Sequence, residues 1–309
     1  MPCQYGARPA RCRVQTMNAL IVGAGTSGFL HALSLRAAGI AITGVFDPDR
    51  ARARDLAAVT GAKIYEDLTR FDGNVVAICS PPNHHVAQAV ALARPGRLTF
   101  LEKPVACDRA GLTTLAALPG VVPILQWRAG QAAHALRAAF RSNAFGARPN
   151  LTCELRLWRD DAYLARTASW DCHALLSIGV HAIDLVLASV GRPVVGARGR
   201  SAQTHGDLEI VFDDGTTAQI RIDLEQRGHD DVCVVVTGKD VSATLRAPEA
   251  DPTAHALSFR GIAAPQHAGA TGSPLLVPFL DEALAAFVAG RPTLGIADVA
   301  LAHGLALDR

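Results

Sequence analysis

The segment NALIVGAGTSG, residues 18–28, joins a short apolar run to three regularly spaced glycines. The apolar run predicts a buried strand, and Gly23, Gly25 and Gly28 follow it in G-x-G-x-x-G spacing before a helical pattern. In such a unit the first glycine permits a tight turn, the second lets the backbone approach a pyrophosphate, and the third lets the helix pack on its strand. The segment therefore predicts a dinucleotide site at a helix N-terminus.

An acidic residue at the end of the next apolar run supports this interpretation. Residues 40–46 predict a second strand, and Asp47 follows it directly, where a carboxylate accepts hydrogen bonds from the adenosine ribose. Thr26 and Ser27 complete the loop that we expect to bind the cofactor. The negative charge of Asp47 opposes a 2′-phosphate and favours NAD, whereas the nearby Arg50 leaves NADP open.

The composition indicates a globular protein with no membrane or nucleic-acid signature. Half of the 309 residues are apolar, 19% are charged, and the formal net charge is +2. The uncharged apolar runs are far shorter than a membrane span, and the basic residues form no cluster. The seven cysteines include no C-x-x-C pair. We therefore expect a cytoplasmic protein whose partner is a small-molecule substrate, with neither nucleic acid nor membrane as partner.

The pattern of apolar runs divides the chain into three parts. Residues 1–16 contain three arginines and no apolar core, which predicts a disordered extension. Residues 17–126 alternate strands and helices, typical of a doubly wound parallel sheet, the α/β Rossmann fold. Residues 127–309 predict an α+β substrate-binding domain with a largely antiparallel, open-faced sheet. Within it, residues 158–173 predict a polar loop and residues 280–289 a final helix, and the final helices are expected to pack back on the first domain.

Polar residues follow several of the predicted parallel strands. Because ligands of such sheets bind beyond the carboxyl ends of the strands, these residues should converge on one crevice with the glycine loop. The further candidates for binding the cofactor are Ser80, Pro81, Asn83, His84, Glu102 and Lys103. The strand ends carry no cluster of candidate metal ligands, so the sequence does not indicate a metal site there.

With these motifs placed, the chain resembles the glucose-fructose oxidoreductase / inositol dehydrogenase family (Gfo/Idh/MocA). The likeness covers almost all of residues 17–300 and includes Glu102-Lys103-Pro104 and the run from Gly179 to Asp184, GVHAID. The resemblance implies an NAD- or NADP-dependent oxidoreductase acting on a hydroxyl or carbonyl carbon of a sugar, cyclitol or related small molecule. It also implies a homo-oligomer that associates through the second sheet.

Hydride transfer to or from a carbinol carbon requires a group that moves the hydroxyl proton. Lys103 is the first candidate, because the chain has only three lysines among its 30 basic residues and keeps one at a strand end. Burial and neighbouring charge can tune a lysine, but not an arginine, to lose its proton. The resemblance places Lys103 at the active-site lysine of the family.

Residues 174–190 predict an apolar helix that carries a second candidate, His181, whose side chain titrates near neutrality. Asp184 shares its helix face, and its two alternative roles are to orient the ring or to be an ordinary structural partner. The family often has an aspartate at the position of Ser177, and since serine cannot act as that base we expect it to position the substrate. Two nearby residues, Asp171 and His173, are possible substitutes for the aspartate.

The expected substrate pocket contains aromatic residues and one arginine. Its candidate residues are Trp127, Arg128, Tyr163 and Trp170, together with Asp184. Arg128 would pair with a substrate anion. Because Ser177 replaces the usual acid, two alternatives stay open: a reductase of a biosynthetic ketone or imine, and a non-catalytic dinucleotide-binding regulatory protein.

Overall fold

The structure, a computed structural model, describes residues 17–248, 256–261 and 276–308, so the predicted extension at residues 1–16 lies outside it. The first domain alternates strands with helices. Its elements are β1 (Asn18–Val22), α1 (Thr26–Ala37), β2 (Ala41–Phe46), α2 (Arg50–Thr60), β3 (Lys63–Ile64), β4 (Val75–Ile78), α3 (His85–Leu92), β5 (Leu98–Leu101), α4 (Arg109–Ala116) and β6 (Val121–Pro123).

All strand pairs of this first sheet are parallel. Within the described residues the sheet has six strands in the order β3-β2-β1-β4-β5-β6. The order reverses beside β1, which is the crevice where doubly wound sheets bind their ligands. The predicted Rossmann fold is therefore confirmed.

A second sheet dominates the rest of the chain. The elements that follow are α5 (Gln131–Arg141), β7 (Asn150–Trp158), α6 (Asp161–Ala168), a π-helical turn (Leu175–Gly179), α7 (Val180–Val190), β8 (Val194–Ser201), β9 (His205–Phe212), β10 (Thr217–Asp223), β11 (Glu225–Thr237), β12 (Ser242–Pro248) and β13 (Ala256–Arg260). In the described part of the chain this sheet has seven strands, ordered β13-β12-β11-β7-β10-β9-β8, and only β7 with β10 is parallel. The prediction of a largely antiparallel sheet is confirmed.

The two faces of the second sheet differ in character. One face packs its apolar side chains with those of α5 and α7 in one core. The other face is polar, and ion pairs cross it, such as Arg156 with Asp231 at 2.7 Å and Arg198 with Glu209 at 2.8 Å. The burial of alternate residues along β7 and β9 produces this division.

Two local predictions were wrong. The stretch predicted as a polar loop contains α6, which begins where the Asp160 carboxylate accepts a hydrogen bond from the Tyr163 N–H at 2.7 Å. The chain also ends in two helices, α8 (Leu276–Val288) and α9 (Ile296–Leu307), instead of one. The Asp298 carboxylate accepts the Gly295 N–H at 2.7 Å and stabilises the start of α9.

The last two helices contact both domains. Phe279 and Leu280 of α8 pack in the core of the first domain, and Val299 of α9 packs in the core of the second. Ile296, at the start of α9, lies in an apolar cluster on the first sheet. Among the helices that the structure describes, none is sufficiently long and apolar to cross a membrane.

Candidate functional site

A cavity of about 800 Å³ lies between the two domains at the carboxyl ends of the parallel strands. The first domain contributes Gly23, Gly25, Thr26, Ser27, Asp47, Ser80, Pro81, Glu102 and Lys103 to its walls. The second domain contributes Tyr163, Arg166, Thr167, Trp170, Cys172 and Ser177. The cavity therefore brings the glycine loop and the Glu-Lys-Pro segment to one place.

The glycine loop has the geometry of a pyrophosphate cradle. Gly23 has a φ of 95°, and a Cβ at Gly28 would lie 2.0 Å from the Gly23 carbonyl oxygen, so neither position accommodates a side chain. A Cβ at Gly25, in contrast, would have no heavy atom within 4 Å. Gly25 is the N-cap of α1 and provides no side-chain cap for the first N–H groups of that helix. These residues fit the diphosphate of a dinucleotide.

Asp47 is fixed beside this loop. Its Oδ2 accepts the Ala24 N–H at 2.7 Å, which keeps the carboxylate on the cavity wall. Arg50, the residue that was the candidate contact for the 2′-phosphate of NADP, instead forms an exposed ion pair with Glu66 at 2.6 Å. Arg52 is the arginine of α2 that lines the cavity. The structure therefore shifts the candidate for a 2′-phosphate contact from Arg50 to Arg52.

Glu102 has a partner that the sequence interpretation did not identify. His31 of α1 is buried, and its Nε2 donates to Glu102 Oε1 at 2.9 Å, while the Lys103 N–H donates to Oε2 at 3.1 Å. Burial raises the pKa of Glu102, but the hydrogen bond and charge of His31 and then the charge of Lys103 outweigh it and lower the pKa to about 2. Glu102 is therefore an ionised carboxylate on the cavity wall. His31 lies three residues after Gly28, on the helix that packs on the sheet. This position is the only feature of the sequence that could have indicated His31 as a site residue.

Lys103 and Ser177 meet on the cavity wall. Lys103 Nζ donates a hydrogen bond to the backbone oxygen of Ser177, 3.0 Å away. Ser177 belongs to the π-helical turn before α7, a distortion that is frequent at functional sites. The peptide bond between Lys103 and Pro104 is cis. The ammonium group of the first domain is thus held by the backbone of the second.

His181 lies behind this wall. It is 3% exposed, it is not among the described residues that line the cavity, and its ring stacks on Trp127 with centroids 4.9 Å apart. Burial, followed by the charge of Lys103, lowers the pKa of His181 well below its ordinary value. His181, the second candidate for the group that moves the proton, therefore does not line the cavity with Lys103, because α7 turns this side chain into the core and Trp127 packs on it.

Asp184 and Arg128 pair with each other. Arg128 Nε donates to Asp184 Oδ2 at 2.8 Å, and Arg128 Nη2 donates to Oδ1. Burial raises the pKa of Asp184, while the charge and hydrogen bond of Arg128 oppose that shift. Two expectations are corrected here: Asp184 does not orient His181, and Arg128 is not available to a substrate anion in the main cavity. The partly buried Arg128 guanidinium and the buried Asp184 carboxylate neutralise each other instead.

The residues that follow the Pro81-Pro82 pair are also placed differently from expectation. Asn83 and His84 are exposed on a 3₁₀ turn (Pro82–His84) and do not line the cavity. The neighbouring His85 is buried, with Nδ1 2.9 Å from the Pro104 oxygen and Nε2 2.8 Å from the Ser80 oxygen. Burial lowers the pKa of His85. His85 therefore joins two loops of the cavity wall.

The second domain supplies an aromatic and cationic wall. Tyr163 and Trp170 line the cavity as expected, and the Arg166 guanidinium lies 5.4 Å from the Tyr163 ring centroid and 5.9 Å from that of Trp170. Asp171 and His173, which flank the lining residue Cys172, do not line the cavity. Arg166 was not identified from the sequence. A loop was predicted here, whereas Arg166 shares a helix with Tyr163.

The fold places this cavity between a Rossmann domain and a second domain with a largely antiparallel sheet. Residues 17–119 match the Gfo/Idh/MocA family, described as an oxidoreductase family with an NAD-binding Rossmann fold. The resemblance recognised from the motifs is thereby confirmed, and the match covers the nucleotide-binding domain, about a third of the chain. No curated protein matches the sequence.

Solved structures resemble nearly the whole chain. The WlbA dehydrogenase of Bordetella pertussis, in complex with NADH and UDP-GlcNAcA, has a TM-score of 0.80, 16% identity and 95% coverage of both chains. UDP-N-acetylglucosamine 3-dehydrogenase GnnA of Acidithiobacillus ferrooxidans has a TM-score of 0.73, 20% identity and coverage of 94% of this chain and 96% of its own. A putative myo-inositol dehydrogenase of Sinorhizobium meliloti has a TM-score of 0.74, 18% identity and coverage of 94% and 95%. At these identities the likeness establishes the two-domain fold.

Proposed function

We propose that this protein is an NAD-dependent oxidoreductase that acts on a hydroxyl or carbonyl carbon of a sugar, cyclitol or related small molecule. The observation that carries the proposal is the common cavity of the glycine loop, Asp47 and Lys103. A dinucleotide held by the loop and Asp47 would extend along the wall toward Lys103. The structural relatives, which include a dehydrogenase bound to UDP-GlcNAcA, a UDP-N-acetylglucosamine 3-dehydrogenase and a putative myo-inositol dehydrogenase, support this substrate class.

In this proposal the first domain binds the cofactor through three features. The N–H groups at the start of α1 bind the diphosphate, the open side of Gly25 allows close approach, and Asp47 accepts the ribose hydroxyls. The charge of Asp47 favours NAD over NADP, and Arg52 is the one basic residue of α2 on the wall that would offset it. The nicotinamide supplies the hydride acceptor or donor when the cofactor is bound.

Lys103 moves the proton in this scheme. In the direction of oxidation its neutral amine takes the proton from the substrate hydroxyl, and in reduction its ammonium group returns it to the carbonyl oxygen. The Ser177 carbonyl fixes the position of Nζ, and the ionised Glu102 lies beside it. We propose that Ser177 positions the substrate and that Tyr163, Arg166 and Trp170 form its outer wall.

The two alternatives use the same geometry. A ketone or imine reductase would need only the proton that the Lys103 ammonium donates, which fits the absence of an acidic side chain at Ser177. A regulatory protein would bind the dinucleotide without turnover. The assay below separates both from the leading proposal.

The test combines binding with turnover. Titration of the protein with NADH and NADPH should show NADH binding at least about tenfold more tightly, because Asp47 repels the 2′-phosphate. NAD reduction is then measured with a nucleotide-linked hexosamine, a hexuronate and myo-inositol, and NADH oxidation with keto-sugars, simple ketones and imines. Turnover of a saccharide or cyclitol supports the proposal, turnover of a simple ketone or imine alone supports the reductase, and binding without turnover supports the regulatory role. Binding of neither dinucleotide would contradict all three.

The cytoplasmic location and the homo-oligomer formed through the second sheet stay predictions. Self-association would have to cover the polar face that carries the Arg156–Asp231 and Arg198–Glu209 pairs. Light scattering of the purified protein tests the oligomer. A monomer at all concentrations would contradict it, and an oligomer that dissociates when Arg198 is replaced by glutamate would support the second sheet as the interface.

A further inference from the structure

A second cavity, of about 460 Å³, lies between the start of α5, the end of α8 and the segment that leads to α9. Its polar lining consists of Arg128, His134, Arg137, Glu282, Arg291 and Thr293, and Phe279 and Leu294 contribute apolar surface. None of its lining residues lines the first cavity. The volume is in the range of sites that hold a small metabolite.

The charge of this cavity is positive after its internal pairs are accounted for. Arg128 is neutralised by the buried Asp184, and Glu282 faces His134 at 3.4 Å. Arg137 and Arg291 have no carboxylate partner among the residues that the structure describes. Three guanidinium groups, those of Arg128, Arg137 and Arg291, therefore stand against two carboxylates, those of Asp184 and Glu282, which leaves one positive charge in excess around the cavity.

Arg137 has a further unsatisfied group. One Nη donates to the Arg128 backbone oxygen at 3.1 Å, but its Nε is buried and has no hydrogen-bond partner. A buried donor without a partner costs free energy. Burial and the charges of Arg128 and Arg141 lower the pKa of Arg137, and the carboxylates of Asp184 and Glu282 oppose this shift, as an anion in the cavity also would.

We propose that this second cavity binds a small metabolite bearing a phosphate or carboxylate group. Arg137 and Arg291 would bind its oxyanion, since a guanidinium pairs with either group in a bidentate manner, and Phe279 and Leu294 would contact its carbon skeleton. The site is separate from the dinucleotide loop and does not depend on the proposed catalytic activity.

The test is calorimetric titration of the full chain with glucose 6-phosphate, citrate and inorganic phosphate, and with glucose as the uncharged control. Each titration is repeated in the presence of NADH, because the glycine loop can also bind phosphate groups. We expect saturable binding of at least one of the anions, unaffected by NADH, and none of glucose. The preferred probe distinguishes a phosphate ligand from a carboxylate ligand.

Variants decide whether the second cavity is responsible. Arg137→Gln and the exposed Arg291→Gln should each weaken binding about tenfold or more, whereas Arg141→Gln, which removes the same charge from the exposed end of α5, should change it less than about twofold. Arg291→Gln should melt at the wild-type temperature. It therefore provides a folded variant for the test even if Arg137→Gln fails to fold. Absence of saturable anion binding, displacement by NADH, or equal weakening by Arg141→Gln would each overturn the proposal.

Discussion

Lys103 and Ser177 are 74 positions apart in the chain, yet Lys103 Nζ donates a 3.0 Å hydrogen bond to the Ser177 backbone oxygen at the cavity wall. This bond connects the end of β5 in the Rossmann sheet to the π-helical turn before α7. Because the acceptor is a backbone oxygen, the bond does not require an acidic side chain at position 177. The lysine position is therefore compatible with serine where the family often has aspartate.

Gly25→Ala tests the cofactor loop. A Cβ at this position meets no protein atom within 4 Å, so the fold should tolerate it, but it would occupy the space where the pyrophosphate approaches the backbone. We expect NADH binding to weaken about tenfold or more with little change in the melting temperature. Gly196→Ala, whose Cβ would meet only the Val211 Cβ at 4.0 Å, is the matched control on the second sheet and should bind NADH as the wild type does. Equal NADH binding by both variants would contradict the proposal that the glycine loop binds the pyrophosphate.

Glu102 makes the stability of the protein depend on pH in a defined window. Its pKa is about 2 in the folded protein and near 4.5 when unfolded, so between these values the unfolded state binds more protons. The carboxylate therefore stabilises the fold fully above pH 4.5, by about 3 kcal/mol, and this contribution is lost as the pH falls toward 2. We expect Glu102→Gln to reduce the free energy of unfolding at pH 7 and to flatten its dependence on pH in this window.

Urea unfolding at a series of pH values measures this effect. The difference between wild type and Glu102→Gln should be constant above about pH 5 and shrink as the pH is lowered. A difference that does not change with pH would mean that the ionisation of Glu102 is not coupled to folding.

His181→Asn distinguishes packing from proton transfer. Because its pKa lies well below the ordinary value of 6.5, His181 is neutral near pH 7, and its ring stacks on Trp127. We expect turnover to fall less than about tenfold, the pH profile between about pH 6 and 8 to keep its shape, and stability to fall by about 1 kcal/mol through the lost stacking. A loss of turnover comparable to that of a Lys103 variant would show that the imidazole reaches the reacting atoms.

The first domain could be predicted in detail because its signals are local. Apolar runs, glycine spacing and the acid after β2 each act within a few residues, and parallel strand ends meet at a common edge by geometry. The same reasoning predicted that Lys103 and Asp47 lie at one crevice, and both line the cavity.

The errors arose where a side chain had partners far away in sequence. Arg128 pairs with Asp184, 56 positions away, and His31 with Glu102, 71 positions away, and neither spacing follows a helical or strand period. The position of His181 on its helix is compatible with a site residue. Only the packing of Trp127 on its ring shows that the side chain points into the core. α6 was missed because it has only eight residues and buries only Thr167, although Asp160 is an N-cap signal.

Replacement of Lys103 by methionine tests whether this residue transfers the proton during NAD-dependent turnover. With the substrate found in the panel, Lys103→Met should lower turnover by about 10²- to 10⁴-fold while NADH binding stays within about twofold of the wild type. The exposed Lys63→Met is the matched control and should leave both unchanged. Turnover by Lys103→Met at the wild-type rate, with the same pH profile, would contradict the account.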